Sequence, residues 1–157
     1  MKIKIFTILP IIIICISCSK EPKNNANFDF PWQEIKIENS TQILEIEKYS
    51  DSALLKNFLY KQTGGFHYKL DRVEEQVLIF SNKERDSLFK YVFETIKRPL
   101  NIEHFCTDYV GNIRFEITGD NYRFSNKYSS ICSWDTISPE TSKIYELINK
   151  KARFDNK

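Results

Sequence analysis

Three short stretches of strictly alternating apolar and polar residues constrain this chain most. Glu34 to Glu38 reads Glu-Ile-Lys-Ile-Glu. Leu44 to Lys48 reads Leu-Glu-Ile-Glu-Lys, with Ile43 as an extra apolar residue in front. Phe66 to Leu70 sets Phe66, Tyr68 and Leu70 at every second position. A period of two sends alternate side chains to opposite faces of a strand. These strands therefore need a sheet with one buried and one polar face, the usual arrangement in antiparallel sheets. Gln76 to Phe80 reads as a shorter, more buried strand.

Two stretches carry the other period. Ser81-Asn82-Lys83-Glu84 is a capping box, and Leu88, Phe89, Val92, Phe93 and Ile96 follow as one apolar stripe. Lys97 and Arg98 suit the negative C-terminal end of a helix, and Pro99 stops it. Ser138-Pro139-Glu140 opens a second helix with a cap, a proline at the first helical position and an acid at the positive end. Ile144, Leu147 and Ile148 form its apolar side. A third, shorter helix is expected after Ser50-Asp51, carrying Leu54, Leu55, Phe58 and Leu59 and ended by Gly64-Gly65. The C-terminal half reads as a β-meander of Asn112–Thr118, Tyr122–Ser125 and Tyr128–Trp134, with a tight turn at Gly119-Asp120-Asn121. The expected fold is α+β: an antiparallel β-sheet with two amphipathic helices, Ser81–Lys97 and Ser138–Lys150, packed on one face. Leu88, Val92, Phe93, Ile96, Ile144, Leu147 and Ile148 should be buried, and the tail from Ala152 should fray.

The N-terminus has a different character. Lys2 and Lys4 precede an apolar run from Ile5 to Ile16, which is interrupted by Pro10 and followed by Ser17 and Cys18. A dozen apolar residues fall short of the roughly 20 needed to span a bilayer. The arrangement resembles a bacterial lipoprotein signal peptide with its lipobox cysteine. Cys15 stands where that family usually has leucine, while the small Ser17 directly before Cys18 favours Cys18 as the modified residue. The resemblance implies removal of residues 1–17, acylation of Cys18 and anchoring in the cell envelope. Ser19 in place of an aspartate implies the outer membrane, with the periplasmic or surface face left open. Residues 18–31 then form a polar, proline-containing tether, residues 32–152 a single domain, and residues 153–157 a frayed tail. About 140 residues remain, enough for one core. The formal charge of +2 is matched by Lys2 and Lys4. The remaining chain is near neutral, which argues against nucleic acid as a partner.

Export would also govern the cysteines. Cys15 leaves with the signal and Cys18 takes lipid, so a Cys106–Cys132 disulfide is expected, with two separate buried thiols as the alternative. A bridge closing about 26 residues would contribute about 3.5 kcal/mol in the chain-entropy model.

No Gly-x-Ser-x-Gly, His-Glu-x-x-His, phosphate loop or dinucleotide fingerprint is present. No catalytic residue, metal site or cofactor is therefore assigned. His104, Cys106 and Asp108 would point to one side of an extended segment. With His67 and Cys132 they supply nucleophile or zinc-ligand types, but at spacings matching no such pattern. Aromatics make up 14% of the chain. Tyr68, Tyr109, Tyr122 and Trp134 are candidate binding residues, because aromatics anchor interfaces. The expected function is a non-catalytic protein-binding module of the envelope: an inhibitor, an immunity-type protein or an accessory. The alternative is a small hydrolase of cell-wall or glycan material using His67, His104 and Asp108.

Overall fold

A computed structural model of the protein describes residues 31–97 and 111–156. The expected signal peptide, the expected tether through residue 30, and His104, Cys106, Asp108 and Tyr109 lie outside the described residues.

The alternating stretches do form strands. They are β1 (Trp32–Asn39), β2 (Gln42–Glu47), β3 (Ser52–Gly64) and β4 (His67–Ile79), followed by α1 (Asn82–Lys97), β5 (Asn112–Gly119), β6 (Tyr122–Ser129), a 3₁₀ turn at Trp134–Thr136 and α2 (Pro139–Asn149). The strands build one six-stranded antiparallel sheet in the order β4-β3-β2-β1-β5-β6. With two helices on an antiparallel sheet, the class is α+β.

Register turns the alternation into a core. Directly paired residues share a face. Leu78, Ala53, Ile46, Ile35 and Ile117 pair in sequence across five strands, and Leu55, Leu44, Ile37 and Phe115 make the adjoining row. All nine are buried. They share one cluster with Leu88, Phe89 and Val92 of α1 and with Ile144 and Ile148 of α2.

The helix caps follow from their sequences. Glu84 accepts from the Ser81 amide and hydroxyl, both at 2.8 Å, and the Ser81 hydroxyl accepts from the Glu84 amide at 3.4 Å. Ser138 caps α2 reciprocally with Thr141, and Pro139 opens the helix. In α1 the buried stripe runs through Arg85, Leu88, Phe89, Val92 and Thr95. Phe93 and Ile96, expected inside, are half-buried, as is Leu147 of α2. The stripe turns toward Arg85 because that guanidinium has interior work. It donates to the Ser50 carbonyl (2.6 Å), the Phe80 carbonyl (3.0 Å), the Asp51 carboxylate (2.7 Å) and Asn82, fastening the β2–β3 turn to the start of α1.

Three expectations are corrected. The segment after Ser50 is strand β3, not a helix. Its Ala53 and Leu55 enter the core while β2 and β4 pair on either side. Apolar residues at i, i+1, i+4 and i+5 fit both periods, and the sheet decides. Gly64-Gly65 is accordingly a hairpin turn, with φ of +143° and +56°, values that favour glycine.

The C-terminal half is a two-stranded hairpin and not a three-stranded meander. β6 runs unbroken through Asn126, and Ser130 at φ +60° then turns the chain out of the sheet. Trp134 lies in the 3₁₀ turn, fully buried against Phe115, Tyr145 and Phe154.

The tail is also docked and does not fray. Phe154 is fully buried. The Asp155 amide donates to the Gln42 side chain (2.6 Å), and its carbonyl accepts from Asn39 (2.9 Å) and the Trp134 indole (2.8 Å). Asn39 and Gln42 of the β1–β2 turn are themselves buried, so their polar groups need these partners. Phe154→Ala should lower stability by about 3–5 kcal/mol in urea unfolding. A loss under about 1 kcal/mol would mean the tail is not part of the core.

Candidate functional site

The most distinctive feature is the β3–β4 hairpin. β2 pairs with β3 only as far as Asn57. Beyond that point the Phe58 amide donates to the Thr41 carbonyl at 2.7 Å, and among the described residues β3 and β4 then pair with each other alone, through Phe58–Val73, Tyr60–Leu70 and Gln62–Tyr68 to the turn. Seven further residues of β3 at about 3.3 Å each give an arm roughly 23 Å long. Every residue from Tyr60 to Val77 is exposed, and Phe66 at the tip is 97% exposed.

The two faces of the arm differ. The register shifts between Leu59 and Tyr60, where Arg72 and then Leu70 are the opposed residues, so Asp71 is a bulge. One face carries Phe58, Val73, Tyr60, Leu70 and Tyr68. Toward the base of β4 the Lys56–Glu75 pair interrupts this face, and the exposed Val77 and Ile79 lie beyond it. The other face carries Leu59, Arg72, Lys61, Lys69 and His67 and is basic. A two-stranded hairpin alone is marginally stable in water. Here the sheet holds its base, and cross-strand pairs such as Tyr60–Leu70 hold its shaft.

The polar face of the sheet carries charges in cross-strand rows, among them Glu45, Lys36 and Glu116. Lys56 binds Glu45 at 2.8 Å, and Arg123 binds the buried Glu116 at 2.7 Å. Glu34, Glu45 and Glu47, with Ser50 and Ser52, line a shallow cavity of about 290 Å³. Burial first, then repulsion from Glu45, raises the Glu34 carboxyl above its usual range. Lys36 opposes this, and Glu116 and Glu47 add to it. Glu84 behaves oppositely. The Ser81 amide and the Lys151 ammonium push it down to about 2. A second cavity of about 440 Å³ lies by Lys48, Tyr49, Asp51 and Arg85.

Of the residues singled out from sequence, Tyr68 stands exposed on the arm. Tyr122 is half-buried. Its hydroxyl donates to the Pro31 carbonyl at 2.7 Å, and its ring lies beside Phe124 and over Gly119, where a side chain would collide with it. Trp134 is corrected as a binding residue, since no part of it reaches the surface. Tyr109, His104, Cys106 and Asp108 lie outside the described residues. His67 is on the arm and Cys132 follows β6, so these two are not brought together in either cavity. Among the described residues no three His, Cys, Asp or Glu side chains converge as metal ligands. No helix there is long and apolar enough to cross a membrane. Sequence reading missed the arm because it assigned β3 to a helix. The signal was Gly64-Gly65 between two runs of similar length, a hairpin turn by composition.

The raised Glu34 has a signed consequence. Its ionised form is disfavoured in the fold, so it costs stability above its folded pKa, and that cost vanishes below the unfolded value near 4.5. Glu34→Gln should therefore raise the urea midpoint at neutral pH, with the gain disappearing once the solution is more acidic than about 4.5. An equal gain at both pH values would refute the electrostatic cause. The chain matches no protein-family model and no curated protein sequence.

Proposed function

We propose that this chain is a lipid-anchored protein of the bacterial envelope, placed at the outer membrane through Cys18, and that it works as a non-catalytic protein-binding module. An inhibitor, an immunity-type protein or an envelope accessory would each fit. The observation that carries the binding role is the β3–β4 arm. A patch of exposed Tyr60, Tyr68, Leu70 and Val73, with Val77 and Ile79 beyond the Lys56–Glu75 pair, is costly to leave in water, and exposed apolar patches of this kind mark interaction sites. Extended hairpins and sheet edges bind proteins by presenting backbone groups and alternate side chains. The anchor rests on the lysine-led apolar run ending at Ser17-Cys18.

Two structural proposals accompany this reading. The helices α1 and α2 cover one face of the sheet, as supported by their joining the core cluster that holds Ile35, Ile37 and Phe115. A Cys106–Cys132 bridge closes the segment before β5 onto the one after β6. In its favour, export would oxidise the two cysteines that remain once Cys15 leaves with the signal and Cys18 takes lipid. The hydrolase reading has less support, because His67, its one described candidate, stands on the arm and lines neither cavity.

Two experiments test the proposal. Cells fed a labelled fatty acid should label the wild-type protein and not Cys18→Ala; equal label in both would remove the anchor. Affinity capture from detergent-solubilised envelope should retain a protein that is lost with the triple variant Tyr60→Ser, Phe66→Ser, Tyr68→Ser. Those side chains are exposed, so the variant should keep its circular dichroism. Equal retention by both forms, or no retained protein, would remove the arm as the binding element.

A further inference from the structure

Among the described residues β4 pairs with β3 alone and is an edge strand over its whole length. Natural edges are usually blunted by charged side chains or by a bulge, and β4 carries both. The charge on β4 changes sign along the strand. On the tip side of the midpoint between Asp71 and Arg72 stand Lys69 and Asp71, and on the base side stand Arg72, Glu74 and Glu75. An antiparallel second copy of the same strand would lay Lys69 against Glu74 and Asp71 against Arg72.

We infer that β4 pairs antiparallel with β4 of a second copy of this chain, about a two-fold axis between Asp71 and Arg72, joining two six-stranded sheets edge to edge. In this register Asp71 opposes Arg72, Leu70 opposes Val73, and Lys69 opposes Glu74 of the other copy. The faces agree as well. Within the hairpin Leu70 pairs with Tyr60 and Val73 with Phe58, so Leu70 and Val73 lie on the apolar face. Lys69 pairs with Lys61 and Glu74 with Asn57, so both lie on the other face. Without the bulge at Asp71 an odd offset of this kind would set apolar residues against charged ones, since a one-residue slip exchanges the faces. The bulge restores the match.

A second observation points the same way. Lys61 and Lys69 stand directly opposite each other in the hairpin, and like charges so placed are destabilising. Glu74 of the second copy would sit beside Lys69 and relieve that pair. In the single chain Glu74 is bound by Arg72 at 2.9 Å, and Arg72 also lies 3.6 Å from Asp71. The dimer would extend this network across the axis. It would also bring the exposed Phe66 opposite Val77, which is 63% exposed in the single chain.

The proposal concerns the backbone edge and stands apart from partner binding by the apolar face, because it is tested on the purified chain alone. Sedimentation of the full-length chain in detergent should give a dimer for the wild type. Lys69→Glu and Glu74→Lys should each raise the dimer dissociation constant by roughly tenfold or more, since two symmetry-related attractive pairs become repulsive. The double variant Lys69→Glu/Glu74→Lys should restore it. Both positions are exposed, so circular dichroism should stay at wild type in all three. A wild-type monomer, a dimer indifferent to the single reversals, or a double variant that stays monomeric would each overturn the proposal. Restoration also separates specific pairing from two chains sharing one micelle, which charge reversal would not reverse.

Discussion

The structure depends on β1 holding its register against two neighbours at once. Ile35 pairs with Ile46 on one side and Ile117 on the other, and Ile37 pairs with Leu44 and Phe115. A slip of one residue on either side would send Ile35 and Ile37, both without solvent exposure, to the charged face and bring Lys36 inward. Burying an unpaired lysine costs far more than the isoleucines gain. β1 is also where the N-terminal meander β1–β4 meets the β5–β6 hairpin, more than 70 residues further along the chain. Without that pairing, α1 would lack contacts with β5 and β6.

Around this frame the ends are closed by polar side chains. Asn39 and Gln42 bind the tail at one end of the sheet. Arg85 binds the β2–β3 turn and the start of α1. Removing either set would strand buried donors and acceptors, which is costlier than losing the net worth of the hydrogen bonds. Lys151 adds a 2.9 Å ion pair to Glu84, so the cap of α1 is shared with the end of α2. Acid weakens that pair: its stabilisation is complete above the ordinary carboxyl value of 4.5 and fades as pH falls toward about 2.

Rigidity is therefore distributed unevenly. The sheet from β2 to β5 is packed and cross-tied, while the arm has two strands, exposed side chains and, among the described residues, no packed layer beneath the stretch from Tyr60 to Leu70. Segments with few buried contacts open at low free energy. Such a segment gains most from being covered, which suits a recognition element held by a fixed base. A second copy would cover its edge, and a protein partner its apolar face.

The sequence alone determined the strands β1 and β2, both helices with their caps, and the burial of Leu88, Val92, Ile144 and Ile148. These follow from local periods and from side chains reaching the backbone within one turn. Only tertiary structure decided β3, because Leu54, Leu55, Phe58 and Leu59 fit a helix or a strand until β2 and β4 pair with them. The same holds for Trp134 and Phe154. Their burial comes from Asn39, Gln42 and Asp155, which meet across more than 110 residues of chain. The arm was hidden for this reason. Its exposure depends on where β2 ends, and no residue of β3 or β4 encodes the length of its neighbour.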